Sequence, residues 1–257
     1  MKISLKKIKL SYADQQVHAL IFLPDPTKEV KASLGVFTHG YTSHKASILS
    51  WPTRLAEEGM ASILFDLPGH YLGGFSEVED FESFKVDAPA LFHKALIQLE
   101  EVYREEFPLQ ADEISSDQVN LVLGGHSLGA LLSLLALDSG AFDKYQNRQS
   151  VCVGLGLPPE GVTHIFDTPF YKSTMNVRAQ LVSPNLSPDL VFPWIKEVKE
   201  KISMSSQKVH FITGQDDMVV SKDGSERMAQ IIIDKGNEVS VEKPTRLPHH
   251  QPELAAS

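Results

Sequence analysis

The chain has 257 residues, of which 42% are apolar, so it can bury a substantial core, and we expect one domain over residues 1–257. Its net charge of −9 argues against binding to nucleic acid or to an anionic membrane surface. No stretch reaches the roughly 18 apolar residues of a membrane span. The single cysteine, Cys152, cannot form an internal disulfide, so we expect a cytoplasmic protein.

In chain order, alternating apolar residues first predict two antiparallel strands, at 3–11 and 17–23. Strands and helices then alternate. The predicted strands lie at 33–38, 61–66, 119–123, 151–155, 208–213 and 238–242, and the predicted helices lie at 47–58, at 87–106, after Ser127 and at 225–235. This order indicates an α/β fold with a mainly parallel central sheet, antiparallel N-terminal strands and helices on both faces. Such sheets bind ligands beyond the carboxyl ends of their strands.

Residues 156–206 interrupt the alternation and are rich in proline and aromatic residues. A compact domain rarely tolerates a structureless loop of that length, so we expect a small cap of short helices. The alternative is a packed insertion with no role in substrate binding.

The turn Gly125-His126-Ser127-Leu128-Gly129 lies between a predicted strand and a predicted helix. A serine between two glycines in that context is the pattern of a nucleophile elbow. A side chain at Gly125 or Gly129 would clash with the neighbouring strand or helix, and Ser127 is expected in a strained backbone conformation. A serine hydroxyl attacks well only if a base removes its proton, and a histidine oriented by a carboxylate can do this.

This elbow resembles that of the α/β-hydrolase family, and further segments extend the resemblance over residues 35–250. The strand at 208–213 ends in Gly214-Gln215-Asp216-Asp217-Met218-Val219-Val220, which resembles the family's acid turn, a strand followed by G-x-x-D-x-x-V. That spacing favours Asp217 as the acid, with Asp216 as the alternative. The family carries its histidine after the last strand, where His249 is the first candidate and His250 the second.

Two earlier segments also match. The strand at 33–38 runs into His39-Gly40-Tyr41, which resembles the family's oxyanion loop. The resemblance implies that the backbone N–H groups of Tyr41 and Leu128 form the oxyanion hole. The run from Phe65 to His70 resembles a further family segment, in which we interpret Asp66 and His70 as structural or pocket-rim residues.

The resemblance implies an α/β-hydrolase fold and a serine hydrolase of carboxylic esters (EC 3.1.1), acting through an acyl-enzyme intermediate with Ser127, Asp217 and His249. We expect a small-molecule ester substrate, no cofactor and no metal site, since His39 and His44 lack further ligands at metal-binding spacing. A thioesterase, an amidase or a peptidase would use the same residues. A hydrolase-fold binding protein without catalytic activity is the alternative from another class.

Overall fold

The protein is described by a computed structural model that covers residues 2–108, 116–158 and 169–256. Within these ranges the strands form one sheet in the order β1-β2-β4-β3-β5-β6-β7-β8. The strands are β1 (Ser4–Tyr12), β2 (Gln15–Leu23), β3 (Ser33–Thr38), β4 (Ala61–Phe65), β5 (Asn120–His126), β6 (Asn147–Val153), β7 (Lys208–Ile212) and β8 (Glu238–Glu242).

The sheet is mainly parallel. β1 pairs antiparallel with β2, and β2 pairs antiparallel with β4. All the pairs from β4 through β3 to β8 are parallel. The predicted α/β sheet with antiparallel N-terminal strands is therefore confirmed.

Helices cover both faces of this sheet. They are α1 (Ser50–Glu57), α2 (Phe81–Glu106), α3 (Leu128–Asp138), α4 (Pro169–Lys172), α5 (Met175–Gln180), α6 (Pro188–Lys201) and α7 (Gly224–Ile233), with short 3-10 helices at Lys45–Ile48, Pro184–Leu186 and Pro252–Ala256. Neighbouring strand residues point to opposite faces. Val36 thus joins the core beneath α2 and α3, whereas Phe37 joins the core that contains Trp51 of α1.

Several element boundaries differ from the predicted ones; β6, for example, begins at Asn147 rather than at 151. Two of the differences have a direct structural cause. α2 begins at Phe81 rather than at 87 because the side chain of Asp80 accepts a hydrogen bond from the Ser83 N–H at 2.8 Å and caps the helix. β5 continues through Gly124 and Gly125 rather than ending at 123. The strand needs glycine there, since a Cβ on Gly124 would lie 2.6 Å from the Val151 carbonyl oxygen on the adjacent strand.

Helices make up most of the described part of the segment between β6 and β7. It contains α4, α5, the 3-10 helix Pro184–Leu186 and α6, and its residues 159–168 lie outside the described ranges. Helix α6, with 14 residues, is longer than the short helices that the sequence suggested. Its Trp194 packs edge-on against Phe81 and Phe84 of α2, with ring centroids 5.7 and 6.3 Å apart, which attaches the segment to the rest of the fold.

None of the helices in the described parts of the chain is long and apolar enough to cross a membrane.

Candidate active site

The sharp turn after β5 fixes the position of Ser127. Its backbone has φ 50° and ψ −108°, a left-handed conformation that is unfavourable for any residue other than glycine. The Ser127 N–H donates to the Val153 carbonyl at 2.9 Å, which ties the turn to the end of β6. Ser127 is partly exposed, whereas its neighbours His126 and Leu128 are buried. The turn therefore presents the serine side chain at the carboxyl edge of the sheet.

Gly125 and Gly129 allow this turn because the backbone passes very close to β3. A Cβ on Gly125 would lie 2.6 Å from the carbonyl oxygen of Thr38, and a Cβ on Gly129 would lie 2.5 Å from that of His39. Backbone atoms cannot move aside as a flexible side chain can. Both positions of the elbow motif thus require glycine.

Asp217 and His249 lie in contact. The distance from Oδ2 of Asp217 to Nδ1 of His249 is 2.9 Å. A carboxylate can only accept, so Nδ1 carries the proton and Nε2 is left as the basic nitrogen. The other oxygen of Asp217 accepts the N–H groups of Val219 and Val220 at 2.8 and 2.9 Å. The side chain of Asp217 is only 2% exposed and that of His249 only 9%, so the pair is held away from bulk solvent.

The two alternative residues occupy different environments. Asp216 is exposed, and its Oδ1 accepts the N–H of Leu247 at 2.8 Å, which ties the turn after β7 to the loop after β8. His250 is exposed, and its ring centroid lies 5.8 Å from that of His249. Among the described residues, neither aspartate forms a hydrogen bond or ion pair with His250.

The loop after β3 is braced by His39. Its Nδ1 donates to the Gly40 carbonyl at 2.8 Å, and its Nε2 accepts the Leu67 N–H at 2.9 Å. The side chain is fully buried, and burial lowers the pKa of His39 to about 3, so the ring is neutral at neutral pH. Next to it, the Tyr41 hydroxyl donates to the Leu186 carbonyl at 2.7 Å and connects the loop to the segment between β6 and β7.

Asp66 and His70 belong to the same buried region. Asp66 accepts the backbone N–H of Lys45 at 2.8 Å and pairs with its ammonium at 2.5 Å. Nδ1 of His70 donates to the Pro68 carbonyl at 2.9 Å, and burial lowers the pKa of His70 to about 3. Neither residue is among those that line the cavity at Ser127.

His126 is a further buried group beside these residues. Neither of its ring nitrogens has a hydrogen-bond partner in the described structure. Its ring centroid lies 4.6 Å from that of His249. Burial, followed by the neighbouring histidines, holds the pKa of His126 well below its usual value.

A cavity of about 270 Å³ opens at this edge of the sheet, and Ser127, His249, His250 and Tyr41 all line it. One face of α6 forms a wall. The residues of that face recur at helical spacing and are Phe192, Ile195, Lys196 and Lys199. Neither these two lysines nor Arg178, which also lines the cavity, was predicted from the sequence as a site residue. The repeat Phe-x-x-Ile-Lys-x-x-Lys was the available signal, but it does not show which side of the helix meets the sheet.

The cavity holds no acidic wall residue in the described parts of the chain. Within those parts, no group of three or more histidine, cysteine, aspartate or glutamate side chains could hold a metal ion. The described residues place the Ser127 hydroxyl and the His249 imidazole at one cavity, with the buried carboxylate of Asp217 in contact with the imidazole.

One family profile and many solved structures match this chain. The profile described as the alpha/beta hydrolase family matches residues 36–251. No curated protein matches the sequence. A thermostable carboxyl esterase from Bacillus coagulans, solved with glycerol, has a TM-score of 0.63 at 13% identity, over 96% of this chain and 90% of that chain.

Two other solved structures widen the range of activities. A soluble variant of monoglyceride lipase from Saccharomyces cerevisiae, solved with a substrate analogue, has a TM-score of 0.63 at 13% identity, over 96% of this chain and 91% of that chain. An acylaminoacyl peptidase from Pyrococcus horikoshii has a TM-score of 0.56 at 14% identity, over 100% of this chain and 40% of that chain. At these identities the structural matches show the fold alone.

Proposed function

The chain belongs to the α/β-hydrolase family, and we propose that it is a serine hydrolase that cleaves carboxylic esters with Ser127 as nucleophile, His249 as base and Asp217 as the acid that orients it. The observation that carries this proposal is the 2.9 Å contact between Asp217 and Nδ1 of His249 beside a cavity that Ser127 also lines. The esterase and lipase among the similar structures support an ester as the substrate class.

In the proposed first step, Oγ of Ser127 attacks the carbonyl carbon of the ester. Nε2 of His249 takes the hydroxyl proton and then gives it to the leaving alcohol, so that an acyl-enzyme and a free alcohol result. Asp217 stabilises the imidazolium that forms in between. In the second step, His249 takes a proton from water, the hydroxide attacks the acyl group, and the proton returns to Ser127 as the acid leaves.

The negative charge that develops on the carbonyl oxygen needs preorganised donors. We assign this role to the backbone N–H groups of Tyr41 and Leu128. Leu128 is the first residue of α3, and the N–H groups of a first helical turn have no acceptor within the helix. The positive end of the α3 dipole adds to the same field. Loss of one such donor typically lowers turnover by about 10²–10³-fold.

We further propose that residues 1–257 form one domain, with residues 156–206 as a cap over the site. Support comes from α6, whose residues line the same cavity as Ser127. Support also comes from Trp194, which packs against α2. The position of α6 at the cavity weighs against a packed insertion that takes no part in substrate binding.

A fluorophosphonate probe tests the nucleophile, because it reacts only with an activated serine. We expect the native protein to be labelled at Ser127 and the Ser127→Ala variant to remain unlabelled, with unchanged circular dichroism. A native protein that is not labelled would favour a binding protein without catalytic activity. A panel of p-nitrophenyl esters, with a thioester and an anilide as controls, then separates an esterase from a thioesterase, an amidase or a peptidase.

A further inference from the structure

The wall of the cavity opposite the sheet carries positive charge. Lys196 and Lys199 follow Phe192 on the same face of α6, one and two helical turns further along. Arg178 of α5 also lines the cavity, and its guanidinium donates to Oγ1 of Thr42 at 3.0 Å. The protein as a whole has a net charge of −9, so this local excess of basic side chains runs against its overall charge.

The positive charge of Lys199 is only partly balanced by other groups of the protein. Its Nζ donates to the Gly156 carbonyl oxygen at 2.7 Å, a neutral acceptor, although an ammonium has three N–H groups to donate. Within the described ranges no carboxylate lies close enough to Lys199 or Lys196 to form an ion pair, whereas Lys201 of the same helix pairs with Glu197 at 2.7 Å.

The lowered pKa of Lys199 agrees with this incomplete balance of its charge. Burial lowers the pKa of Lys199 to about 8, and the charge of Asp217 offsets only part of that effect. Asp217 already holds Nδ1 of His249. A second negative group in the cavity would therefore stabilise the charged form of Lys199, which the protein by itself stabilises poorly.

We propose that the cavity selects esters that carry a negatively charged group, such as a carboxylate, which the ammonium groups of Lys199 and Lys196 bind. This proposal rests on the ester hydrolysis proposed above and names its substrate class. Phe192 and Ile195 contact the apolar part of the substrate, and the two lysines along the same helix face hold its charged end.

The test compares two esters of similar shape, the mono-p-nitrophenyl ester of adipic acid, which carries a free carboxylate, and p-nitrophenyl hexanoate, which is neutral. Their kcat/KM values are measured after subtraction of the rate with Ser127→Ala. We expect the anionic ester to be preferred by about 10- to 100-fold, the range expected for charge-assisted hydrogen bonds. We expect this preference to weaken as salt is added. A second pair, 4-acetoxybenzoate and its neutral analogue 4-acetoxybenzamide, tests a charge on the leaving alcohol instead of on the acyl group.

Variants then assign the preference to residues. In Lys199→Met and in Lys196→Gln, the ratio of anionic to neutral turnover should fall by about 10-fold or more. The matched control is Lys201→Gln, because Lys201 lies on the same helix but is exposed and paired with Glu197; this variant should keep the ratio. Equal turnover of the charged and neutral members of both pairs, or a ratio that the cavity variants do not change, would overturn the proposal.

A binding measurement separates this proposal from the proposed function. Monomethyl adipate and methyl hexanoate are titrated calorimetrically into the Ser127→Ala protein, which cannot turn them over. Tighter binding of the charged ester, lost in Ser127→Ala/Lys199→Met, supports the anion site even if the native protein cleaves no ester. If the native protein cleaves neutral esters rapidly and the Ser127→Ala protein binds both titrants equally, the proposed hydrolase function stands and the anion site is ruled out.

Discussion

The rings of His126 and His249 lie with their centroids 4.6 Å apart and their planes inclined at 53°. His126 is neutral because burial lowers its pKa, so it supports His249 by contact without adding a positive charge beside it. Asp217 holds the same ring through Nδ1. Two contacts thus define the orientation of His249, whereas His250 is exposed on the neighbouring position.

The first prediction concerns the two histidines. His249→Ala should lower kcat/KM for a p-nitrophenyl ester by about 10⁴–10⁶-fold, since loss of the base leaves the serine unactivated. His250→Ala should lower it by less than about 10-fold, because truncating an exposed side chain has a small effect. Steady-state kinetics of both variants measures this. A larger loss for His250→Ala would reverse the assignment of the base.

The second prediction concerns the two aspartates. Asp217→Asn should lower kcat by about 10³–10⁴-fold, because an amide no longer fixes the tautomer of His249 or stabilises its charged form. Asp216→Asn keeps an oxygen that can accept the Leu247 N–H, so its effect should stay below about 10-fold. Kinetics on the two isosteric variants, with melting temperatures as a control for folding, distinguishes them. Similar losses for both would contradict separate roles.

The third prediction concerns the glycines of the elbow. Gly129→Ala should destabilise the protein by at least about 1–3 kcal/mol, because the added methyl group meets the His39 carbonyl oxygen at 2.5 Å and the backbone must shift. Gly74→Ala is the matched control, since its Cβ would meet nothing closer than Nδ1 of His18 at 3.7 Å. Urea denaturation gives both free energies of unfolding. An unaffected Gly129→Ala protein would show that the turn has more room than its geometry indicates.

The fourth prediction concerns pH. Burial lowers the pKa of both His39 and His70 to about 3, while the unfolded chain titrates near the ordinary histidine value of 6.5. Between these values the unfolded state binds more protons, so stability is complete above pH 6.5 and falls as the pH decreases towards 3. For each of the two histidines, the free energy of unfolding should fall by about 1.4 kcal/mol for every pH unit by which the pH decreases through that window.

Urea denaturation at pH 7.5, 6.0 and 5.0 measures this slope. In His70→Phe the titrating imidazole is replaced by a phenyl ring that does not titrate. The slope should therefore decrease by about 1.4 kcal/mol per pH unit, whatever the variant's stability at pH 7.5. An unchanged slope in this variant would mean that His70 is protonated in the folded protein.

The sequence predicted those features that depend on local geometry. The elbow could be recognised because Gly125, Ser127 and Gly129 lie within one turn of the chain. The structure shows the close contacts with the carbonyl oxygens of Thr38 and His39 that require both glycines. The choice of Asp217 and His249 over their neighbours came from family spacing. The structure brings these two side chains into contact, but their catalytic role remains a prediction.

The sequence could not predict what depends on packing between distant segments. The lysines of α6 became notable only once Trp194 and Phe192 showed which side of that helix faces the body of the protein. The ring contact between His126 and His249 likewise joins residues far apart in the chain. The early start of α2 is different, because its cap at Asp80 is a local contact with Ser83 that the sequence could have indicated.

Helix α6 belongs to the segment that starts after the carboxyl end of β6 and returns to the amino end of β7, the adjacent parallel strand. The described part of this segment adds no strand to the sheet, so substitutions on its cavity face leave the pairing of the strands unchanged. A protein built in this way can acquire new substrate preferences by diversifying one face of one helix, while the turn that bears Ser127 is inherited unaltered. Libraries randomised at the cavity face of α6 offer a direct route to retargeting this scaffold.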